Sequence, residues 1–284
     1  MVTKIFRSRQ HAGLRMGLAL LLLYAGLVLI LTAVPAVGGQ GRILEELRYQ
    51  VDVWLWSDAM KTRVTLEELA PGRYRAEVAG QSQGFVATLS GNWQGNFATE
   101  MIYKDGKFLP LVYRENSTAR GKRWLSEYRF DHEHNKMELY KLSKNKGLVK
   151  KWETTFKDPP YDPLTFYYNQ RLAPEGLGQG GETLKYSGIP YPKQDDIVVR
   201  IGPMSAEGRK IMVELANRIF EGERSQIYAF LDKEGVPTKA WTRVMAFGTV
   251  NAQLLPGGKR LNKAELTRAL ETAPAALAAQ NLNR

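Results

Sequence analysis

Apolar and polar residues alternate with a period of two along most of this chain. The first clear run sets Leu47, Tyr49, Val51, Val53 and Leu55 against Arg48, Gln50 and Asp52, the pattern of a strand buried on one face. The same rhythm predicts strands over 60–66, 72–78, 84–93, 97–103, 123–131, 136–142 and 148–156, and over 196–201, 210–215, 225–232 and 239–255. Short connections such as Lys104-Asp105-Gly106, His134-Asn135, Asn145-Lys146-Gly147 and Lys233-Glu234-Gly235 carry glycine or asparagine where a turn needs positive φ. Strands joined so closely form an antiparallel meander, since parallel neighbours need long crossovers. The expectation is a mostly β protein, an antiparallel meander forming a highly curved sheet or partly open barrel.

Two helices interrupt this rhythm. Asp162 is a good N-cap and Pro163 suits the first helical position, so a short helix is expected near 163–172, with Leu164, Tyr167, Tyr168, Arg171 and Leu172 on one face. A second is expected near 263–273, where Asn262 and Glu265 have the spacing of a capping box, running toward Pro274 and leaving a frayed tail. The stretch 173–193 is rich in glycine and proline and reads as a long loop inside a single β-rich domain over 39–260, followed by the helix and tail of 261–284. No repeat of fixed period is visible.

Several strands are apolar on both faces. Trp54 and Trp56 oppose Tyr49 and Val51; Tyr228 and Phe230 oppose Ile227, Ala229 and Leu231; Met245 and Phe247 oppose Val244 and Ala246. The second face needs a cover, and the Asp162 helix is the natural candidate. Incomplete cover would leave an apolar pocket fit for an acyl chain or another hydrophobic ligand, with Trp54, Trp56, Tyr167 and Tyr168 as the expected lining. The alternative is an ordinary two-layer core without a cavity.

The first forty residues change the picture of where this domain works. Lys4, Arg7, Arg9 and Arg15 precede an uncharged, leucine-dense stretch, and the first acidic residue is Glu45. A basic head before an apolar segment directs export through the inner membrane, so the folded part is expected in the periplasm. Residues 1–38 are read as a signal peptide, with small residues at Ala36 and Gly38 suiting a cleavage site, or as an uncleaved anchor formed by 16–34. The chain has no cysteine, which excludes disulfides, thiolate metal sites, a cysteine nucleophile and an acylated lipoprotein cysteine. The formal net charge is +11, and the leader contributes four of the positive charges. Outside the inner membrane such an excess fits anionic lipid or glycan, and no nucleic-acid partner is expected.

Candidate chemistry is sparse. Gly80-Gln81-Ser82-Gln83-Gly84 matches the G-x-S-x-G elbow of serine hydrolases, which requires a strand before the serine and a helix after it. The β-type residues Phe85 to Leu89 predict a strand there instead, so the five residues read as a hairpin loop. His132 and His134 could share one strand face, but Asp131-His132-Glu133-His134-Asn135 reads better as a solvated turn, and no metal is expected. Gly176-Leu177-Gly178-Gln179-Gly180-Gly181 lacks the Lys-Ser/Thr of a phosphate loop. Neighbouring carboxylates such as Glu45/Glu46 would point to opposite strand faces, so no catalytic residue and no cofactor is assigned. Lys141, Lys144, Lys146, Lys150 and Lys151 cluster near Tyr140 and Trp152 on a predicted hairpin. They could meet anionic headgroups, or simply protect a solvated edge.

Three segments carry a resemblance: Ala98-Thr99-Glu100-Met101-Ile102-Tyr103-Lys104-Asp105-Gly106-Lys107-Phe108-Leu109-Pro110-Leu111-Val112-Tyr113; Tyr161-Asp162-Pro163-Leu164-Thr165-Phe166-Tyr167-Tyr168-Asn169-Gln170-Arg171; and Val236-Pro237 together with Phe247-Gly248-Thr249-Val250. Over about Leu47 to Leu255 the chain resembles a family of exported Gram-negative bacterial proteins known only as a domain of unknown function. The resemblance implies a β-rich envelope domain, with an architecture similar to the open barrels of lipoprotein carriers that wrap around a helix. It implies no catalytic residues. The expected role is non-enzymatic binding or scaffolding of a lipid-like ligand or an envelope partner; the alternatives are a hydrolase acting on envelope lipid or glycan and a purely structural assembly module.

Overall fold

The computed structural model describes residues 41–172, 177–189, 195–215, 225–244 and 248–282, with 274–282 described by backbone alone. The expected leader, the Met245 and Phe247 positions and parts of the 173–193 stretch lie outside these residues. Fourteen described strands form one antiparallel sheet. They are β1 (Arg42–Val53), β2 (Trp56–Ala70), β3 (Arg73–Ser82), β4 (Gln94–Lys104), β5 (Lys107–Ala119), β6 (Lys122–Asp131), β7 (Lys136–Ser143), β8 (Gly147–Thr155), β9 (Thr183–Gly188), β10 (Asp195–Ser205), β11 (Gly208–Leu215), β12 (Ser225–Leu231), β13 (Pro237–Val244) and β14 (Gly248–Leu261). The described helices are α1 (Gly84–Ser90), α2 (Pro163–Leu172) and α3 (Lys263–Leu282).

The strand order is β8-β7-β6-β5-β4-β3-β2-β1-β14-β13-β12-β11-β10-β9. Two meanders, β1–β8 and β9–β14, therefore meet at a seam between the first strand and the last, where Val51 faces Ala252 and Gln50 faces Gln253. The chain leaves the sheet at edge strand β8, passes through α2 and re-enters at the opposite edge strand β9. Just before α2, the Tyr161 N–H donates to the Ser187 carbonyl at 2.9 Å and the Ile189 N–H donates to the Tyr161 carbonyl at 3.1 Å, which ties the approach to the helix onto the β9 edge. A twisted sheet this wide curls rather than staying flat. Register shifts in the β1–β2, β1–β14, β4–β5 and β7–β8 pairs sharpen the bending. Edges β8 and β9 do not pair with each other among the described residues, so the mostly β, highly curved sheet stays open.

The concave face holds the core. Leu47, Leu66, Tyr74, Met101, Phe108, Tyr113, Tyr128 and Met137 are almost fully buried there, with Tyr168 of α2 among them. Phe108 stands edge-on to Tyr74 and Tyr168, with ring centroids 5.4 and 6.4 Å apart, an arrangement that aromatic quadrupoles favour.

Five expectations are corrected. Residues 84–90 form helix α1 rather than a strand: Gly91 at φ 72° closes it, and the Asn92 N–H donates to the Ala87 carbonyl at 2.6 Å, a left-handed C-cap that outweighs the β propensity of Phe85 and Val86. Strand β5 does not show in the alternation because Arg114-Glu115-Asn116-Ser117-Thr118 is polar on both faces and Pro110 lacks an N–H. The β4–β5 register shift between Glu100 and Met101 lies beside that proline. The 173–193 stretch contains β9. The predicted 239–255 strand is two strands, β13 and β14. Finally, α3 continues through Pro274 to Leu282.

Candidate functional site

Helix α2 lies across the concave face and is latched to it by the residues of the quoted segments. Asp162 Oδ1 accepts from the Leu164 and Thr165 N–H groups at 2.9 and 3.0 Å, capping the helix as its sequence predicts. Its Oδ2 accepts from the Thr99 hydroxyl of β4 at 3.0 Å and the Thr165 hydroxyl at 2.5 Å. Burial pushes the Asp162 pKa up, and these hydrogen bonds work against that shift. One turn on, the Asn169 side chain mimics a strand neighbour: its Oδ1 accepts from the Phe108 N–H and its Nδ2 donates to the Phe108 carbonyl, both at 2.8 Å. The first two quoted segments thus recognise each other.

The third attachment is an ion pair that the sequence reading missed. Arg171 and Glu45 of β1 have side chains 2% and 0% exposed. Arg171 Nη1 donates to Glu45 Oε1 at 2.6 Å and to the Tyr167 hydroxyl at 3.2 Å, and its Nε donates to the Glu234 carbonyl at 2.8 Å. The Tyr168 hydroxyl donates to the same Glu45 oxygen at 3.2 Å. Burial by itself would lower the Arg171 pKa; Tyr167 and Glu45 more than offset this, holding it above its ordinary value and charged. One signal was available in the sequence: Glu45 shares the inward register of Leu47 and Tyr49, and a charge on a buried face demands a partner.

Between α2 and the sheet lies a cavity of about 220 Å³. Its α2 wall includes Leu164, Phe166 and Tyr167, and its far wall is aliphatic, with Ile197, Val199, Val213, Ile227, Ala229 and Ala240. Gln170 and Arg171 supply polar groups on the helix side. Tyr113 also lines this space, and its hydroxyl is buried without a hydrogen-bond partner among the described residues. An apolar cavity of ~150 Å³ already accommodates benzene, so this one has room for part of a larger apolar molecule.

The inner face becomes polar beyond the cavity. Across the register, Leu47, Val64, Val78 and Phe97 are followed by Glu115, Ser126 and Lys141. Burial raises the Glu115 pKa to about 7, while Lys141 and a hydrogen bond from Ser126 pull it back. Glu115 Oε2 has no hydrogen-bond partner.

The four expected lining residues do not gather in one place. Tyr167 lines the cavity, whereas Tyr168 is sealed in the core behind it. Trp54 and Trp56 sit at the β1–β2 turn, edge-on to each other at 5.7 Å, and Trp54 is 60% exposed at φ 52°. The five lysines also separate. Lys141 lies on the concave register. Lys150 pairs with Glu153 and Glu138 at 2.6 and 3.3 Å. Lys144, Lys146 and Lys151 are exposed.

The other motifs resolve into structural roles. Ser82 does end a strand and a helix does follow, but Ser82 lacks the positive φ of a strained elbow. Its hydroxyl donates to the Trp93 carbonyl at 3.1 Å and accepts from Ser90 at 2.9 Å, fastening α1 to the strand end. His132 Nε2 donates to the Pro110 carbonyl at 2.6 Å and His134 pairs with Asp131 at 2.8 Å, so neither serves Ser82 as a base. Among the described residues no group of three acidic or histidine side chains is placed to hold a metal ion. The described part of the glycine-rich stretch, 177–181, leads into β9, with Arg209 donating to the Gly178 carbonyl at 2.7 Å.

No curated protein matches the chain. Among solved structures it is similar to a β-barrel-like protein of a domain of unknown function, DUF1849, from Brucella abortus, at 11% identity and a TM-score of 0.45, over 75% of this chain and 96% of that one. The pattern of a protein family of unknown function, DUF3108, matches residues 48–254, a span that holds Thr99, Phe108 and all of α2 together with most of the cavity wall. The chain belongs to the DUF3108 family.

Proposed function

We propose that this protein binds a hydrophobic, lipid-like ligand without transforming it, and that it does so in the cell envelope. The observation that carries the reading is the 220 Å³ cavity with its aliphatic far wall and its helix cover latched by Asp162, Asn169 and Arg171. A wall of short aliphatic side chains offers dispersion contacts without directional demands, which suits an acyl chain. The leader sequence supports the envelope setting. The half-buried Phe166, Tyr167, Ile211 and Val213 form the side by which a ligand would enter.

Lipid extraction of the purified full chain followed by mass spectrometry tests the reading, together with titration of a fluorescent fatty acid. A stoichiometric lipid, or saturable uptake that Ala229→Trp abolishes by filling the cavity, is the expected result. An empty protein that takes up no acyl probe, or an Ala229→Trp variant that binds as well as the parent, refutes it.

A further inference from the structure

One edge of the sheet carries a feature that the cavity does not use. Because β1–β8 alternate in direction, the β1–β2 turn, helix α1, the β5–β6 turn and the β7–β8 turn all lie along the same edge. The first two present large apolar side chains to solvent: Trp54 is 60% exposed, Leu55 76% and Phe85 57%. Trp56 links them, with its ring 5.7 Å from Trp54 and 5.5 Å from Phe85. Leu89 adds a further exposed side chain from α1. Isolated exposed apolar residues are ordinary, but a contiguous cluster led by two tryptophans marks an interaction surface.

The neighbouring turns are basic. Arg120 donates from Nη2 to the Leu89 carbonyl at 3.0 Å, which joins the β5–β6 turn directly to α1. Lys122 and Arg123 follow it, and Lys144 and Lys146 occupy the next turn, all exposed. Along these described turns the acidic residues are Asp58, which pairs with Lys61 at 3.1 Å, and Asp52, whose Oδ1 accepts from the Asp58 N–H at 2.8 Å and from the Gln50 side chain at 3.1 Å. An apolar tip of Trp, Leu and Phe beside a row of uncompensated cations has the chemistry of a membrane-interface anchor. Indole rings settle at headgroup depth, leucine and phenylalanine enter the acyl boundary, and arginine and lysine meet lipid phosphate.

The geometry points to this edge as a docking surface for an anionic lipid bilayer, with the Trp54–Leu55 turn and α1 entering the interface and the 120–123 and 144–146 turns holding it electrostatically. The fold restricts the contact to one rim. The turns at the opposite ends of the strands, including Ala206-Glu207 between β10 and β11, stay in water.

The absence of cysteine makes the test direct. An environment-sensitive fluorophore is attached to Leu55→Cys or, at the opposite rim, to the exposed Glu207→Cys, in the full chain carried in phosphatidylcholine nanodiscs. Each is titrated with vesicles of phosphatidylcholine alone or with one part in three phosphatidylglycerol. Emission at position 55 is expected to shift to the blue with the anionic vesicles alone, and to lose the shift at high salt. Emission at position 207 should not change. Combined Arg120→Glu, Lys122→Glu and Arg123→Glu should raise the half-saturating lipid concentration at least tenfold while leaving acyl-probe uptake intact, which separates this docking from the cavity. No response at position 55, an equal response to neutral vesicles, or a shift at position 207 instead would overturn the proposal.

Discussion

The two meanders share one alternation of side chains, yet they fill the space beneath α2 unequally. The β3–β6 region presents Tyr74, Phe108, Tyr113 and Tyr128, and α2 packs against β3, β4 and β5 with Tyr168 inserted among the rings. The β10–β14 region presents Ile197, Val199, Ile227, Ala229, Ala240 and Ala252. Ile197 and Val199 form one small apolar cluster that Phe166 of α2 touches, Ala229 and Ala240 belong to another, and Phe166 also meets Tyr186 of β9 at 5.4 Å. The difference lies in volume, not polarity. Aromatic side chains bury 150–250 Å² each and fill the distance to a helix; alanine and branched aliphatic residues at the same register leave a gap. A curved sheet can therefore be solid core over one part of its inner face and cavity wall over another with no break in its hydrophobic pattern.

The sharpest way to break this asymmetry is to release the helix that spans both halves. Arg171→Ala leaves Glu45 buried beside Tyr168 without its cation, and should cost about 4 kcal/mol in urea unfolding. Replacing both partners, as Glu45→Gln with Arg171→Met, should recover much of that loss. An equal loss in the double variant would show that the pair acts through something other than charge.

A second prediction concerns Glu115, where the packed half turns polar. Its folded pKa of about 7 lies above the ordinary carboxylate value because burial disfavours the ion. Above the unfolded pKa the folded state therefore holds more protons than the unfolded one, and the contribution of this group to stability falls as pH rises through about 7. Glu115→Gln should remove this loss, leaving the variant roughly 3 kcal/mol more stable than the parent at pH 8, relative to their difference at pH 4. Denaturant titrations at both pH values read it directly, and parallel profiles for parent and variant would contradict the assignment.

Matched truncations sharpen the comparison itself. Phe108→Ala removes a ring held between Tyr74 and Tyr168 and should cost about 4 kcal/mol, whereas Ile211→Ala trims a half-buried cavity wall and should cost about 2 kcal/mol less than that while weakening acyl-probe uptake. Equal costs would mean that both halves are packed alike. The smallest effect is expected at the helix cap. Asp162→Asn keeps an acceptor for the Leu164 and Thr165 N–H groups and removes a buried charge, so it should shift stability by about 1 kcal/mol or less; a loss of several kcal/mol would show that the carboxylate is needed as an ion.

Much of the fold was legible because alternation is a local signal. The strands around Tyr49, Phe97, Tyr128 and Ile227 all follow from side chains two residues apart falling on one face, and the α2 start follows from Asp162-Pro163. The errors occur where local signals conflict. Gly91-Asn92 stops a helix that Phe85 and Val86 conceal, and the polar run 114–118 hides β5 because its partners, Glu127 for Arg114 and Ser126 for Glu115, come from the next strand. Apolar residues on two faces leave both a pocket and an ordinary two-layer core open, and periodicity alone does not place Trp54, Trp56 and Tyr168. A positive φ at Trp54 and a hydrogen bond from Tyr168 to Glu45 send them elsewhere.

By itself the sequence determined the secondary-structure class, the meander and the cap of α2, because each depends on residues close together in the chain. Tertiary structure alone decided that β1 pairs with β14, that Glu45 meets Arg171 across 126 positions, and that a cavity opens between α2 and the sheet. These outcomes depend on how far apart two distant surfaces stand and how much side-chain volume lies between them, quantities that no local pattern encodes.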